Sequence, residues 1–428
     1  MGLFNKAAAA GQDVMTCPPA EQSTFPQSLL VLSPPTSYIA LAIAAILLLK
    51  LILLTFLTQR HTHRRGKTAQ SDLLRHAVIT GGSSGIGLAI AHELALHRGC
   101  RRVTLLARNV DGLKAAKDRL ENELLATGTE QRPDQIVAIR SVDVANYDAV
   151  STAAAEICSA KEEGNGGGGG GPPSLLFNVA GTSSSGRFVE TDPGELERLM
   201  RINYLGTAHV TRAFLPHVLS NRDDADMAVP PKPCTIVFTS SAAGQVGVYG
   251  YGAYSPTKAA LRAMAESLSM EVPTSVAVQV AYPPDTDTPG YEAEQVGKPR
   301  ETHLISEAAG LYQPNDVARD MVGAALRSNP PFNVYFGLEG WMLSTLTAGM
   351  GPPHGTLDVI CQVFLMGLLR FVSLFYLWDF RRIVERCRRE LEADDSSNTG
   401  VKRNGDRADA DADGNTIKGE WLCGGAGW

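Results

Sequence analysis

The sequence lacks the cysteine patterns that bind zinc or build a disulfide framework. Its seven cysteines are an odd number, are scattered along the chain, and include neither a C-x-x-C pair nor a cysteine–histidine cluster. Such cysteines are typical of reduced thiols in a protein that faces the cytosol. We therefore expect no disulfide framework and no metal site.

The sequence also lacks an excess of basic residues. Lysine and arginine together number 39 against 45 aspartate and glutamate residues, which gives a formal net charge of −6. Because proteins that bind nucleic acid carry a basic bias, we discard that class of partner. With 428 residues, of which 44% are hydrophobic, the chain is long enough for one catalytic domain plus appended segments.

One long apolar run is present near the start of the chain. Residues 39–58, IALAIAAILLLKLILLTFLT, contain a single charge, Lys50, and are long enough to cross a bilayer as a helix. The run begins too deep in the chain for a removed signal peptide and lacks a small-residue cleavage site. Basic residues cluster just after it, whereas only Lys6 precedes it. We predict a lumenal segment over 1–36, a retained transmembrane anchor over 37–58, and a cytosolic location for the rest of the chain.

Short apolar runs alternate with amphipathic stretches between residues 76 and 281. AVIT, RVTLLAR and IVAIRSVDV each precede a stretch with helical periodicity, and later runs continue the pattern. This rhythm is typical of parallel strands joined by crossover helices. The sequence therefore predicts an α/β fold, a Rossmann-type doubly wound parallel sheet, over 72–331. A glycine tract at 161–173 and a polar stretch at 221–232 are predicted to be flexible surface loops.

Two further apolar stretches, 332–350 and 357–378, come after the predicted sheet. The second is long enough to span a membrane, but Arg370 lies within it, and an arginine at mid-bilayer is costly. A helix lying in the membrane surface, a tight hairpin, a true span and a helix packed on the domain core all stay open. Basic residues at 381–389 suit anionic lipid headgroups. We predict a C-terminal membrane-associated helical region over 332–389 and a disordered acidic tail over 390–428.

A glycine-rich turn, TGGSSGIG at 80–87, directly follows the first predicted strand and opens a helix. Glycines in this context let the backbone approach a pyrophosphate at the helix N-terminus. About twenty residues later, NAD-selective proteins place an acidic residue on the ribose 2′-hydroxyl, but here the sequence has Ala107 and Arg108. A guanidinium can pair with a 2′-phosphate, so we expect NADPH, with Ser83 adding a hydrogen bond. The alternative is that Arg108 is a solvated surface charge.

Tyr254 and Lys258 are four residues apart and therefore share one face of a predicted helix. An ammonium beside a phenol favours the ionised form, so a tyrosine with an ordinary pKa of about 10 could exchange protons near neutrality. Ser241 lies upstream of this pair. Alone, the pair is common by chance and is more typical of an exposed polar stripe on a helix. Together with the glycine turn, it indicates hydride transfer.

These motifs, with Asn178-Val-Ala-Gly181, resemble the short-chain dehydrogenase/reductase superfamily over roughly residues 75–290. The resemblance implies that Tyr254 donates a proton to the carbonyl oxygen and that Ser241 polarises the carbonyl. It further implies that Lys258 lowers the pKa of the phenol and holds the nicotinamide ribose. Asn203 matches the family's relay asparagine, although it could equally be a helix-kink or buried hydrogen-bonding residue. The implied cofactor-binding residues are Thr80, Gly81, Ser83, Ser84, Gly85, Ile86, Gly87, Arg108, Asp143, Val144, Asn178, Ala180, Gly181, Tyr254, Lys258, Pro283, Thr286 and Thr288.

A more specific resemblance lies after the sixth predicted strand. YPPDTDTPG at 282–290, NYLGT at 203–207 and the C-terminal segments GLLRF and LFYLWDF resemble the 3-ketodihydrosphingosine reductases. This implies NADPH-dependent reduction of a long-chain keto-sphingoid base at the endoplasmic reticulum membrane, with the active site facing the cytosol. The substrate partitions into the bilayer because each buried methylene contributes about 0.8 kcal/mol. The apolar stretch 332–378 would form the entrance for its chain.

Two other functions stay open on the sequence alone. A microsomal retinoid or steroid dehydrogenase of the same superfamily would share every catalytic residue. A membrane scaffold could bind NADPH without turnover, although the intact Ser241, Tyr254 and Lys258 argue against it. The sequence does not decide whether the chain forms a homo-oligomer, although superfamily members commonly associate through the helix that bears the Tyr–Lys pair.

Overall fold

The computed structural model describes residues 72–126, 135–159, 170–221, 232–307 and 310–402. The predicted lumenal segment 1–36 and the predicted anchor 37–58 lie outside the described residues. So do residues 160–169 and 222–231, which make up most of the two predicted surface loops, and the chain beyond residue 402.

A seven-stranded parallel sheet forms the centre of the described chain. Its strands are β1 (His76–Thr80), β2 (Arg102–Ala107), β3 (Ile136–Ser141), β4 (Leu175–Asn178), β5 (Cys234–Thr239), β6 (Val276–Ala281) and β7 (Asn333–Val334). Their spatial order is β3-β2-β1-β4-β5-β6-β7, and every neighbouring pair is parallel. The order reverses between β1 and β4, as in a doubly wound fold. The predicted Rossmann-type sheet is confirmed.

Helices cover both faces of this sheet. They are α1 (Gly85–His92), α2 (Val110–Ala126), α3 (Tyr147–Cys158), α4 (Pro193–Leu199), α5 (Gly206–Leu219), α6 (Ser255–Glu271), α7 (Pro289–Gln295), α8 (Arg300–Glu307), α9 (Pro314–Ala325), α10 (Gly337–Leu346) and α11 (Thr356–Lys402). A π-helical segment, Met200–Leu205, joins α4 to α5 without a break, and another, Glu93–His97, extends α1.

Two apolar cores follow from the alternation of side chains along the strands. In β1, Ile79 belongs to the core under α1, α2 and α9, whereas its neighbour Val78 belongs to the core under α3, α5 and α6. Both side chains are fully buried. Because strands buried on both faces read as continuous apolar runs, β1, β2 and β5 were recognisable in the sequence.

Two predicted boundaries do not coincide with the structure. Phe332 and Val334 are buried in the two cores, and β7 pairs with β6, so the sheet domain continues past residue 331. A strand of two residues is too short to show any alternation in the sequence. The helix α11 runs on to Lys402, so the first thirteen residues of the segment predicted to be disordered are helical.

The helix α11 has the length and composition of a membrane-crossing helix. Within Thr356–Ala393, its most apolar window has a mean hydropathy of 1.9, and it is the one helix of this kind among the described residues. The predicted apolar stretch 357–378 is therefore helical.

Candidate active site

The glycine turn lies between β1 and α1, beside the point where the strand order reverses. Gly81 and Gly85 have φ angles of 71° and 56°, which glycine adopts without strain. A Cβ on Gly81 would lie 3.0 Å from the backbone nitrogen of Ala180, and a Cβ on Gly87 would lie 2.2 Å from the carbonyl oxygen of Gly81. Side chains at these positions would collide with backbone atoms, so the tight turn depends on glycine. A backbone cradle of this kind at a helix N-terminus fits a pyrophosphate.

Thr80 and Asn178 lie opposite each other in register at the ends of β1 and β4. The Thr80 hydroxyl accepts hydrogen bonds from the backbone nitrogens of Val179 and Ala180, at 2.9 and 3.0 Å. The Asn178 amide donates to the Thr211 hydroxyl at 3.3 Å. Both residues are buried behind the wall of the site. They hold the backbone in place and do not face the space in which a cofactor would lie.

A cavity of about 1370 Å³ extends from the glycine turn to the Tyr–Lys pair. All of the predicted site residues line it except Thr80, Asn178 and Asn203. The lining on the side of β1, β2 and β4 comprises Gly81, Ser83, Ser84, Gly85, Ile86, Gly87, Arg108, Asp143, Val144, Ala180 and Gly181. The lining on the side of β5 and β6 comprises Ser241, Tyr254, Lys258, Pro283, Thr286 and Thr288.

Arg108 lies just past the end of β2, at an exposed part of the cavity lining. It has no ion-pair partner among the residues that the structure describes. The backbone there is fixed, since its carbonyl oxygen accepts a hydrogen bond from the Ser141 hydroxyl at 3.1 Å. An unpaired guanidinium at this position is available to an anionic group in the cavity.

Ser241, Tyr254 and Lys258 come together at the ends of β5 and α6. Ser241 follows β5, and its hydroxyl hydrogen-bonds to the phenol of Tyr254, the residue that precedes α6. Lys258 lies one helical turn on, with Nζ 5.8 Å from the centroid of the Tyr254 ring. The ammonium donates to the carbonyl oxygen of Thr239 at 3.0 Å. The three side chains therefore form one continuous patch of the cavity wall.

Loss of solvation shifts the pKa values of this pair in opposite directions. Burial raises the pKa of the Tyr254 phenol above its ordinary value, against the opposing effect of the Ser241 hydrogen bond. Burial also lowers the pKa of Lys258 to about 8. The sequence-based prediction was that Lys258 lowers the pKa of Tyr254. That prediction is wrong in direction, because the effect of burial on the pKa is the largest one. With its pKa raised, the phenol keeps its proton at neutral pH and is poised as an acid.

Asn203 lies in the π-helical segment and is fully buried. Its carboxamide accepts from the backbone nitrogen of Thr182 at 2.8 Å and donates to the Thr182 carbonyl at 2.9 Å. It also donates to the Thr257 hydroxyl at 3.0 Å. A Cβ on Gly181 would lie 3.1 Å from the Asn203 oxygen and 3.2 Å from Lys258 Nζ. Asn203 is thus a buried hydrogen-bonding residue whose oxygen, like Lys258 Nζ, lies beside Gly181.

The loop between β6 and α7 lies against the glycine turn. The Thr288 hydroxyl accepts from the backbone nitrogen of Tyr291 at 3.1 Å and so caps α7. The methyl group of Thr288 lies 3.2 Å from the point where a Cβ of Gly85 would be. Thr286 is buried, and its hydroxyl donates to the Pro284 carbonyl at 2.9 Å. These two threonines therefore fix the shape of the loop, and Thr288 also contacts the turn.

A charged network that the sequence did not suggest borders the tyrosine. Tyr251, whose ring centroid lies 5.6 Å from that of Tyr254, donates a hydrogen bond to Glu294. Lys298 Nζ lies 3.2 Å from Glu294 and 3.8 Å from Asp285. Both carboxylates line the cavity and raise the pKa of Tyr254. The i, i+4 spacing of Glu294 and Lys298 could have predicted their ion pair from the sequence. Their contact with Tyr251 could not be predicted, because it forms only in the folded chain.

Mostly apolar side chains from α10 and α11 line another side of the cavity, together with the polar Glu339, Arg370 and Ser373. The apolar ones are Met342, Leu343, Leu346, Leu369, Val372, Tyr376, Leu377 and Phe380. On α6, the Arg262 guanidinium donates to the Ala348 carbonyl at 2.6 Å, just after α10. The Gln245 amide donates to the Ser344 hydroxyl at 3.1 Å. The helix α10 is therefore attached to α6 and to the segment after β5, and the cavity has one polar end and one mostly apolar end.

Arg370, the charge within the predicted apolar stretch, also lines this cavity. Its neighbour one turn away on the same helix, Ser373, donates to the Arg370 carbonyl at 2.8 Å. Charged side chains in apolar segments generally face protein or water-filled space. Arg370, whose charge would be costly in a simple membrane span, therefore borders the cavity in this structure.

Residues 75–297 match the family model described as short chain dehydrogenase. A 3-dehydrosphinganine reductase from Danio rerio is 42% identical over 314 residues, which cover 73% of this chain and 86% of that protein. A 3-ketodihydrosphingosine reductase from Mus musculus is 43% identical, with the same coverage.

A solved short-chain dehydrogenase/reductase from Burkholderia phymatum, in complex with NAD, is 25% identical. The match covers 61% of this chain and 88% of that one, with a TM-score of 0.48. The family match spans the glycine turn, Ser241, Tyr254 and Lys258, and the relatives extend the similarity beyond it. The chain belongs to the short-chain dehydrogenase family and is an oxidoreductase that acts on a keto or hydroxyl group.

Proposed function

We propose that this protein reduces the 3-keto group of 3-ketodihydrosphingosine to the hydroxyl group of dihydrosphingosine, with NADPH as the hydride donor. The observation that carries the proposal is the two-sided cavity, in which the Ser241–Tyr254–Lys258 patch faces the same space as the apolar wall of α10 and α11. A substrate with a polar keto head and a long apolar chain matches both ends. The names of the relatives from Danio rerio and Mus musculus support this choice of substrate.

The chain's own residues supply binding, orientation and a proton. NADPH, when bound, supplies the hydride to the carbonyl carbon. The Ser241 hydroxyl holds the carbonyl oxygen beside the Tyr254 phenol, and the phenol gives its proton to that oxygen as negative charge develops there. The keto group thus gains one hydride on carbon and one proton on oxygen and becomes a hydroxyl. Lys258, charged below its pKa, stabilises the resulting phenolate and would hold the nicotinamide ribose.

The glycine cradle, Arg108 and Ser83 make up the other end of the proposed cofactor site. The cradle fits the pyrophosphate at the start of α1. Arg108, without an ion-pair partner among the described residues, is proposed to pair with the 2′-phosphate, and Ser83 lines the same part of the cavity. Asp143 and Val144 lie beyond them, where the family pattern would place the adenine.

We further propose that the protein is held at the endoplasmic reticulum membrane with this cavity on the cytosolic side. The apolar run at 39–58 and the basic residues after it support an anchor with that orientation. The apolar helix α11 supports contact with lipid. A membrane-held site meets a long-chain substrate in the phase where that substrate is most concentrated.

The substrate is tested by assaying membranes that contain the protein with NADPH and, in parallel, 3-ketodihydrosphingosine, retinal and a ketosteroid. We expect turnover of the sphingoid ketone to exceed that of the other two, because relatives that are 42% and 43% identical are named for reduction of this ketone. Membranes that carry the Tyr254→Phe variant serve as the control for background reductases. Activity confined to retinal or the ketosteroid would refute the assignment and favour a retinoid or steroid dehydrogenase.

Replacing Arg108 with alanine is expected to lower the preference for NADPH over NADH by roughly 10- to 100-fold, since hydrogen bonds to charged groups contribute about 1.5–3 kcal/mol. The loss should appear in the dissociation constant of NADPH, while that of NADH stays nearly constant. Arg119→Ala, which removes an exposed arginine of α2 outside the cavity, is the matched control. An unchanged preference in Arg108→Ala would mean that Arg108 is only a surface charge.

The affinity for NADPH is expected to fall as pH rises above about 8, where Lys258 loses its proton. The sign follows from the lowered pKa: the ammonium is present below this value and absent above it, while Tyr254, with a raised pKa, stays protonated. Titration of NADPH binding between pH 6.5 and 9.5, roughly 1.5 units on each side, measures the effect. Lys258→Met should bind weakly with no inflection near pH 8. An inflection that persists in Lys258→Met would assign it to another group.

A further inference from the structure

The helix α11 is buried against the rest of the protein at two places on one side, near its start and near its end. Cys361, Leu365, Leu369 and Cys387 are between 2 and 8% exposed, and their spacing follows the helical repeat. From the first to the last of them the helix rises by about 39 Å, at about 1.5 Å per residue. The two buried places are therefore farther apart than the hydrocarbon core of a bilayer is thick, which is about 30 Å.

Both places are tied to neighbouring segments. At the start, the Asp358 carboxylate accepts from the backbone nitrogen of His354 at 2.8 Å. Near the other end, Arg300 of α8 pairs with Glu390 at 2.5 Å. Between them, Leu369, Tyr376 and Phe380 line the cavity. A helix that crosses a membrane is surrounded by lipid or by other membrane-embedded helices, whereas α11 is held to the described domain near both ends and lines the cavity between them.

The opposite face of α11 is apolar and exposed. We call it the outer stripe, and its members are between 49 and 70% exposed. They are Val363, Phe364, Leu368, Phe371, Leu374, Phe375 and Trp378. Phe371 and Phe375 contact each other edge to face, with ring centroids 5.3 Å apart. Soluble proteins rarely leave so many large apolar side chains together in water.

Arginines continue the outer stripe along the same side of the helix. Arg382 stacks on Trp378, with its guanidinium carbon 4.4 Å from the ring centroid. Arg386 and Arg389 come next, at spacings of four and three residues, and all three arginines are exposed. An apolar face bordered by aromatic and cationic side chains has the chemistry of a helix that lies at the surface of an anionic membrane.

We infer that α11 lies in the plane of the membrane surface, with the outer stripe among the acyl chains and its arginines on anionic lipid headgroups. This rests on the membrane location proposed above and specifies how the helix meets the bilayer. The inner face of the same helix is a wall of the active-site cavity. A single layer of side chains and one helix backbone then separate the bilayer from the space that faces Tyr254.

The inference is tested on the full chain in vesicles of phosphatidylcholine and phosphatidylserine by measuring the depth of single nitroxide labels. Labels replace Phe364, Phe371 and Trp378 in a background with Cys17→Ser and Cys423→Ser. The five cysteines of the described ranges are buried and free, so a reagent should react at the introduced site. Leu125→Cys, an exposed apolar position on α2, is the matched control and should report water.

We expect the three outer labels to lie at the same shallow depth, about 5–10 Å into the boundary between headgroups and acyl chains. A helix that crosses the bilayer would separate the labels at 364 and 378 by about 21 Å in depth, which would overturn the inference. Labels shielded from both lipid and water, with spin–spin broadening, would identify a second copy of the chain as the occupant instead. Labels that report only water would also overturn it.

Charge reversal tests the role of the arginines. The variant tested combines Arg382→Glu, Arg386→Glu and Arg389→Glu. It should reduce the lipid exposure of the label at 371 in phosphatidylserine vesicles and leave that exposure unchanged in neutral vesicles. The control Arg119→Glu should change the exposure in neither vesicle type. Equal loss in both vesicle types would contradict headgroup recognition. Reductase activity on the keto-sphingoid base in detergent is measured in parallel. Its absence would refute the proposed function without affecting the depth result.

Discussion

Replacement of Tyr254 by phenylalanine is expected to lower kcat for ketone reduction by about 10²- to 10⁴-fold, the usual contribution of a positioned general acid. The variant loses only the phenol oxygen, which is the atom that hydrogen-bonds to Ser241. The ring keeps its contacts with Tyr251 and Lys258. Cofactor affinity and the unfolding temperature should therefore change little, so that the loss falls on the chemical step.

Tyr282→Phe is the matched control for this variant. Tyr282 is buried, donates a hydrogen bond to Asn333 at 3.2 Å, and does not line the cavity. Its replacement should cost about 1 kcal/mol of stability and leave kcat near the wild-type value. The catalytic assignment fails if Tyr254→Phe keeps a kcat within a few-fold of wild type while NADPH is consumed in proportion to product.

Gly87→Ala is expected to lower the free energy of unfolding by about 2–3 kcal/mol, at the upper end of overpacking effects, and to weaken dinucleotide binding. The added Cβ would lie 2.2 Å from the carbonyl oxygen of Gly81. That atom belongs to the backbone of the turn and cannot rotate away as a side chain would. Relief requires the turn to move, and the cradle at the start of α1 would move with it.

Gly323→Ala, in the last turn of α9, is the matched substitution, because a Cβ there meets nothing within 4 Å. It should raise the free energy of unfolding by about 0.5–1 kcal/mol, since alanine is the better helix former. Urea denaturation of both variants measures the contrast. A Gly87→Ala protein as stable as wild type, with unaltered dinucleotide affinity, would show that the cradle tolerates a side chain.

The sheet and the polar end of the cavity were predictable because their signals are local. The strands β1 and β5 are buried on both faces and stand out as apolar runs. The glycine turn comes directly after β1, so its context could be read within a dozen residues. β7 could not be found in this way, because its two residues are held by pairing with β6 from more than fifty positions away.

Other parts of the site depend on contacts that no sequence window contains. Asn203 contacts Thr182 and Thr257, which lie 21 and 54 positions away. The direction of the Tyr254 pKa shift likewise required knowledge of burial, because desolvation outweighs the charges nearby. Tyr251 and Glu294 meet across 43 positions, which explains why their network was missed.

The apolar wall of the cavity and its catalytic patch are encoded in separate stretches of the chain. Tyr254 and Lys258 belong to the sheet domain, whereas the wall is built by side chains between Glu339 and Phe380. Substitutions in that later stretch can alter the shape offered to a substrate without touching a group that transfers a proton. In evolutionary terms, the reaction and the choice of substrate can change independently, and one chemical apparatus can be inherited unchanged by enzymes that act on different ketones.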